Sequence, residues 1–170
     1  MRSAPIGLFL RRENFETRAD ASRKVAGITH GDPRCLDSVV LFDHAIAFLS
    51  VEGELSFNDV LRWASGMNQA LLTRIEAIPR LKMEELCTGG FVLDTLQSAF
   101  WFLFHADSFE DGLIDAVSLG HDADTTGAVT GALLGAKFGF SSIPTRWLSK
   151  LSRLKEVESA AKFLFEKAGR

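Results

Sequence analysis

Apolar residues recur at helical spacing along most of the chain, and alternation of the kind a half-buried strand needs is scarce. Between Ser38 and Ser50, Val39, Val40, Phe42, Ala45, Ile46, Phe48 and Leu49 fall on one side of a helix. Ser56 is placed to cap a helix running through Val60, Leu61, Ala64 and Met67. Gly89-Gly90 then breaks the chain before Phe91 to Phe104, where apolar residues cover most of the circumference. A helix apolar on nearly all sides belongs in the middle of a fold. Ser108-Phe109-Glu110-Asp111 has the form of a capping box and predicts a helix to about Leu119. Further helices are expected from near Asp124, from Pro144 at the first turn of a short one, and over Val157 to Ala168, the last amphipathic. No repeat, linker or low-complexity stretch interrupts these elements, so the pattern predicts one compact all-α domain over residues 1–170.

Composition narrows this reading only a little. The chain has 170 residues, enough for one sizeable core, and its 46% apolar and 24% charged content is that of a water-soluble globular protein. A net charge of -3 without a Lys/Arg cluster offers no footprint for nucleic acid. Fourteen Phe and no Tyr point to a strongly apolar interior. Cys35 and Cys87 are too few for a disulfide framework or a zinc cluster and read as reduced thiols of a cytoplasmic protein. The apolar start, Met1 to Leu10, is followed by Arg11, Arg12 and Glu13 without a small-residue cleavage site, unlike a signal peptide. No apolar run reaches the roughly 20 residues of a membrane span.

Chemistry concentrates in Gly120-His121-Asp122-Ala123-Asp124-Thr125-Thr126-Gly127 and its continuation to Gly139. Gly127, Gly131, Gly135 and Gly139 recur every four residues, which on a helix makes a stripe with almost no side-chain bulk. Each interior glycine costs about 0.8–1.0 kcal/mol relative to alanine. Close approach of neighbouring helices is the compensation this predicts. Lys137 and the shortness of the apolar run exclude a membrane helix pair. Asp122 and Asp124, with Thr125 beside them, crowd the start of the same helix. One carboxylate suffices for capping, and two at i and i+2 repel. Hard cations such as Mg²⁺, Mn²⁺ and Ca²⁺ take oxygen ligands and would relieve that repulsion. Residue types alone leave metal binding and capping both open.

The pattern G-x-D-x-D-T-x-G-A-x-x-G-A-x-x-G-A-x-x-G, matched at every fixed position from Gly120 to Gly139, resembles the signature of the ADP-ribosylglycohydrolases. Thr88-Gly89-Gly90-Phe91-Val92-Leu93-Asp94-Thr95-Leu96 resembles that family's glycine turn and following helix, and Ile143-Pro144 through Leu148 the stretch after its glycine helix. Thr29-His30 is similar to the family's threonine-histidine pair. Only Leu55 to Glu85 carries no recognised motif.

The resemblance implies an all-α, orthogonal helical fold and metal-dependent hydrolysis of an ADP-ribosyl bond in a protein or small molecule. It implies Asp122, Asp124 and Thr125 as ligands of a dinuclear Mg²⁺ or Mn²⁺ centre, and His30 as a substrate contact beside the diphosphate. Asp94 reads either as a supporting acid or as a polar residue at a helix start, and His121 as a surface residue near the site.

Met1-Arg2-Ser3-Ala4-Pro5 resembles the end of the family's G-N-G-x-x-M-R-x-A-P segment. The threonine-aspartate-aspartate motif that supplies the family's other metal ligands is not in the sequence. The expectation is therefore an N-terminally truncated, carboxyl-terminal half with no assignable catalytic acid or base. Two octahedral ions need about ten to twelve oxygens, more than these three residues offer. Such a half would hydrolyse only with the rest supplied by a longer native chain or by a partner polypeptide. The alternative is a non-catalytic binding or structural module. Uncovered apolar surface would favour self-association.

Overall fold

The computed structural model describes residues 1–168, and these form helices joined by turns, with no strand among them. Ten α-helices follow in order: α1 (Ala4–Phe9), α2 (Phe15–Gly27), α3 (Pro33–Glu52), α4 (Phe57–Ala64), α5 (Gln69–Ala77), α6 (Val92–His105), α7 (Phe109–Ser118), α8 (Ala123–Phe138), α9 (Thr145–Leu148) and α10 (Leu154–Lys167). The all-α expectation holds. No helix among the described residues is long and apolar enough to cross a membrane.

Capping chemistry sets several of these boundaries. Asn14 accepts from the Thr17 N–H at the start of α2, and Asp32 accepts from the Arg34 N–H at the start of α3. Asp32 begins α3 earlier than the Ser38 boundary read from apolar spacing, because Pro33 is well suited to a first turn. Ser56 caps α4, as expected, and forms a reciprocal capping box with Asp59, but the helix stops at Ala64 rather than reaching Met67. Ser108 accepts from the Asp111 N–H and donates its hydroxyl hydrogen to the Asp111 carboxylate, opening α7. Pro144 stands just before α9 rather than inside its first turn, and α10 begins at Leu154, one turn before Val157.

Helices α3, α6 and α8 pack on one another and carry the main core. Leu41, Ala45, Ile46 and Leu49 of α3 meet Leu93, Leu96, Ala99, Phe100 and Leu103 of α6, with Val129 and Leu133 of α8 closing the cluster. Val60 and Ala64 of α4 and Leu71 and Ile75 of α5 cover one side of it. As the all-round apolar pattern predicts, α6 is central, with Leu93, Thr95 to Phe100, Phe102 and Leu103 buried. Its C-terminal carbonyls, which a helix leaves without partners, are met from α8: Lys137 Nζ donates to Leu103 O at 2.8 Å and Ala106 O at 3.3 Å.

The glycine stripe of α8 is graded rather than uniform. A Cβ on Gly127 would lie 2.9 Å from Val117 Cγ2 of α7, whereas Gly131 and Gly135 would meet α7 atoms at 3.5 and 3.9 Å. Gly139 is not in the helix at all. With φ +82° it ends α8 in a conformation that side chains other than glycine rarely adopt. Two tighter approaches lie elsewhere. A Cβ on Gly112 would sit 2.6 Å from Ala106 Cβ and 2.9 Å from Leu134 Cδ1, and one on Gly7 would sit 2.5 Å from the Asp43 carbonyl oxygen.

A polar knot joins α2 to α3. Arg18, 5% exposed, donates to the Leu10 and Glu13 carbonyls and to His44 Nδ1 at 2.8 Å. Asp43 is fully buried and accepts from Ser22 Oγ at 2.7 Å. Its other oxygen, Oδ1, has no hydrogen-bond partner among the described residues. Burial pushes the Asp43 carboxyl up to about 6, with the Ser22 hydroxyl pulling the other way. Burial, and then the Arg18 charge, push His44 down to about 4.

The Phe-rich interior is only partly realised. Phe42, Phe100, Phe102 and Phe109 are buried, but Phe9, Phe91, Phe140, Phe163 and Phe165 are exposed. The last two lie on α10, whose main contact is α1, so most of its apolar side faces outward.

Two predictions come from this packing. Gly131→Ala gains helix propensity without a clash and raises stability by about 0.8–1.0 kcal/mol. Gly112→Ala meets Ala106 and Leu134 and lowers stability by about 1–2 kcal/mol; urea unfolding midpoints measure both. The second concerns acid. A raised Asp43 favours folding as pH falls from about 6 towards 4, because the folded state binds the proton first. A depressed His44 opposes folding through the same window, because the unfolded chain, titrating near 6.5, binds it first. The pair therefore nearly cancels. Asp43→Asn removes one side, and that variant loses about 2 kcal/mol between pH 7 and pH 5 from His44, against about 0.5 kcal/mol from the pair in the unaltered chain.

Candidate functional site

The start of α8 is shaped by the turn before α6. The Asp122 N–H donates to the Thr88 carbonyl at 2.8 Å, and Thr88 Oγ1 donates to the Gly120 carbonyl at 3.1 Å. These two bonds clip the Thr88-Gly89-Gly90 turn to the Gly120-His121-Asp122 loop. Gly120 and His121 both take positive φ, 75° and 56°, which turns the chain abruptly into the helix. Gly90, at φ +82°, leaves room for a carboxylate: a Cβ there would sit 2.7 Å from Asp122 Oδ2.

Asp122 occupies the N-cap position of α8, yet its side chain makes no capping bond. Its Oδ1 instead accepts from Thr125 Oγ1 at 2.8 Å. Asp124, in the first turn and exposed, has neither hydrogen bond nor ion pair with another described side chain. Two carboxylates thus stand at one helix end, neither paired with a cationic side chain among the described residues. Capping therefore leaves both carboxylates unexplained. Oxygen donors of this kind are those a hard cation takes.

A cleft of about 570 Å³ opens in front of Asp122 and Thr125, within the usual size of a small-molecule site. Val39, Phe42, Leu96 and Val129 supply apolar lining from α3, α6 and α8. Thr29 and His30, from the loop between α2 and α3, also line it, together with Arg2. The fold therefore brings His30 to the same cleft as Asp122 and Thr125, although some ninety positions separate them in sequence. Asp124 lies one residue from that lining and is not part of it.

Asp94 faces away, to Arg74 at 2.9 Å in an ion pair whose angle falls short of a hydrogen bond. It is a polar residue at a helix start. His121 is exposed beside the site, as expected. Cys35, half-buried, lines the cleft and Cys87 is exposed; neither is in a disulfide.

Several cleft residues were not singled out from the sequence. Arg2 donates to Thr29 Oγ1 at 2.7 Å, and Thr29 Oγ1 lies 2.7 Å from His30 Nδ1. Phe91 lines the cleft next to Gly90, and the Arg34 guanidinium lies 5.5 Å from its ring centre while pairing with Asp32. Adjacency to Gly89-Gly90 and to Thr29-His30 was the available signal, but proximity of Arg2 to Thr29 depends on how α1 sits against α2.

Known proteins resemble this chain in sequence and in fold. The sequence profile described as ADP-ribosylglycohydrolase matches residues 1–170. The ADP-ribosylarginine hydrolase Tri1 of Serratia proteamaculans (strain 568) is 31% identical over 168 residues, covering 97% of this chain and 45% of that protein. The ADP-ribosyl-dinitrogen reductase glycohydrolase of Rhodospirillum rubrum is 44% identical over 71 residues, 42% of this chain and 24% of that protein. A solved ADP-ribosylglycohydrolase-related protein complex superimposes with a TM-score of 0.82 at 28% identity, covering 96% of this chain and 57% of that one. The chain thus spans about half the length of the relatives it matches end to end. With its acidic helix start, glycine turn and threonine-histidine pair gathered around one cleft, the chain belongs to the ADP-ribosylglycohydrolase family.

Proposed function

We propose that this chain forms part of a metal-dependent hydrolase site that removes ADP-ribose from an ADP-ribosylated protein or small molecule. The observation that carries this reading is the shared cleft, with His30 lining it alongside Asp122 and Thr125. Asp122, Asp124 and Thr125 would hold Mg²⁺ or Mn²⁺. The Asp122 carboxylate, free of capping duty, and the unpaired Asp124 fit such a role. A bound divalent ion supplies Lewis acidity and a template that orients ribose hydroxyls.

The chain's own residues do the rest of the binding. Thr125 steadies the Asp122 carboxylate through its hydroxyl bond, and Gly90 leaves that carboxylate its space. The apolar lining from α3, α6 and α8 excludes water from one side of a ligand. His30 offers a ring nitrogen to the diphosphate. No group of three or more His, Cys, Asp or Glu side chains is placed to hold a metal ion among the described residues. A dinuclear centre and the acid-base group would thus draw on further polypeptide of the family fold. An arginine linkage is the first to test, because Tri1 of Serratia is named for it.

Mn²⁺ raises the melting temperature of the chain by about 2–4 °C for each kcal/mol of binding, and Asp122→Ala and Asp124→Ala abolish that rise. Release of ADP-ribose from ADP-ribosylated arginine and serine peptides is expected only after the complementary half is added, and not with Asp124→Ala. Metal binding without turnover in the complemented protein would favour a non-catalytic module instead.

A further inference from the structure

The loop between α2 and α3 carries a hydrogen-bond relay that ends on the cleft histidine. Both the Thr29 and His30 N–H groups donate to the Ala26 carbonyl, at 3.1 and 2.9 Å, which pins the pair to the last turn of α2. Arg2 reaches Thr29 Oγ1 at 2.7 Å, with the Val25 carbonyl 3.4 Å from the same guanidinium nitrogen. Thr29 Oγ1 lies 2.7 Å from His30 Nδ1.

The direction of these bonds follows from the donor inventory. A guanidinium has donors and no acceptor, so Arg2 donates and Thr29 Oγ1 accepts. The Thr29 hydroxyl hydrogen then has one acceptor within reach among the described residues, His30 Nδ1. With Nδ1 accepting, the proton of the neutral ring sits on Nε2. The opposite arrangement, Nδ1–H donating to Thr29, leaves the hydroxyl hydrogen of this exposed residue to solvent alone and forgoes the relay.

We propose that Arg2 and Thr29 are positioning residues that hold His30 as the Nε2–H tautomer, so that the ring presents a donor to anionic oxygens in the cleft. Phosphate oxygens only accept hydrogen bonds, so the other tautomer would set a lone pair against them. The use of this donor rests on the cleft being the ADP-ribose site; the tautomer itself does not.

Nitrogen-15 NMR of the histidine rings in the full chain tests the relay, at a pH about two units above the ordinary imidazole value. His30→Gln identifies the resonances. The expected spectrum has His30 Nε2 at the protonated limit and Nδ1 at the unprotonated, hydrogen-bonded limit. Thr29→Val and Arg2→Met move both towards the averaged shifts of a ring exchanging between tautomers, and Thr29→Ser restores the first pattern. A wild-type ring protonated on Nδ1, or shifts unmoved by Thr29→Val, would overturn the proposal.

Calorimetry with ADP-ribose on the protein complemented with its other half separates the two readings. Affinity is expected to fall about tenfold in Thr29→Val, equivalent to about 1.4 kcal/mol, and to recover in Thr29→Ser. If the tautomer is as expected but ADP-ribose does not bind, the reading of the cleft fails while the relay stands. If ADP-ribose binds and the ring is averaged, the relay fails.

Discussion

The close seating of α8 against α6 and α7 is the constraint on which the site depends. Gly127 brings α8 to within van der Waals contact of Val117, and Gly112 lets α7 close on Ala106 and Leu134. Lys137 ties the far end of α8 to the last carbonyls of α6. With both faces fixed, the first turn of α8 has one place to go. The turn before α6 clips to it through Thr88, and Asp122 is aimed past Gly90. Interiors packed at crystal-like density move little, so a carboxylate placed this way keeps its direction.

A second consequence is a division of labour at the helix end. An N-cap aspartate normally spends its oxygens on backbone N–H groups. Here the side chain of Asp122 turns to Thr125 instead, and nothing among the described residues satisfies Asp124. The helix dipole gives two nearby carboxylates some relief, but only about half a charge of it. The first turn is therefore poorer in stability than a simply capped one would be, and richer in unassigned negative charge. Such local losses of consistency are where function tends to lie.

The opposite side of the cleft is built by other means. Asp43, His44, Arg18 and Ser22 join α2 to α3 through buried hydrogen bonds, and Gly7 lets α1 lie against the Asp43 carbonyl. That packing delivers Arg2 to Thr29 and both to the cleft, so the histidine's orientation depends on a core interaction some distance from it. The apolar outer side of α10 shows the converse: a helix with one short neighbour leaves Phe163 and Phe165 uncovered.

The sequence by itself marked most of the helices from α3 onward, but not α1, α2 or α5, and it located the candidate chemistry, whose metal-binding role came from the family resemblance. Helical periodicity marked α6 as central, serines at 56 and 108 marked two helix starts, and the Gly120 to Gly139 pattern singled out Asp122, Asp124 and Thr125. These are local signals, carried by spacing and by the preferences of caps and turns. The unmotifed stretch from Leu55 to Glu85 hid α5, whose short apolar pattern was not distinctive, and the four-residue glycine repeat could not show that Gly127 is crowded, Gly131 is not, and Gly139 lies past the helix end. Whether Asp122 caps or turns outward, whether Asp94 faces the site or Arg74, and whether Arg2 meets Thr29 depended on contacts between residues distant in the chain. Only the tertiary structure decided those, because each is fixed by which helix surfaces close against each other, and spacing along one helix does not encode its neighbour.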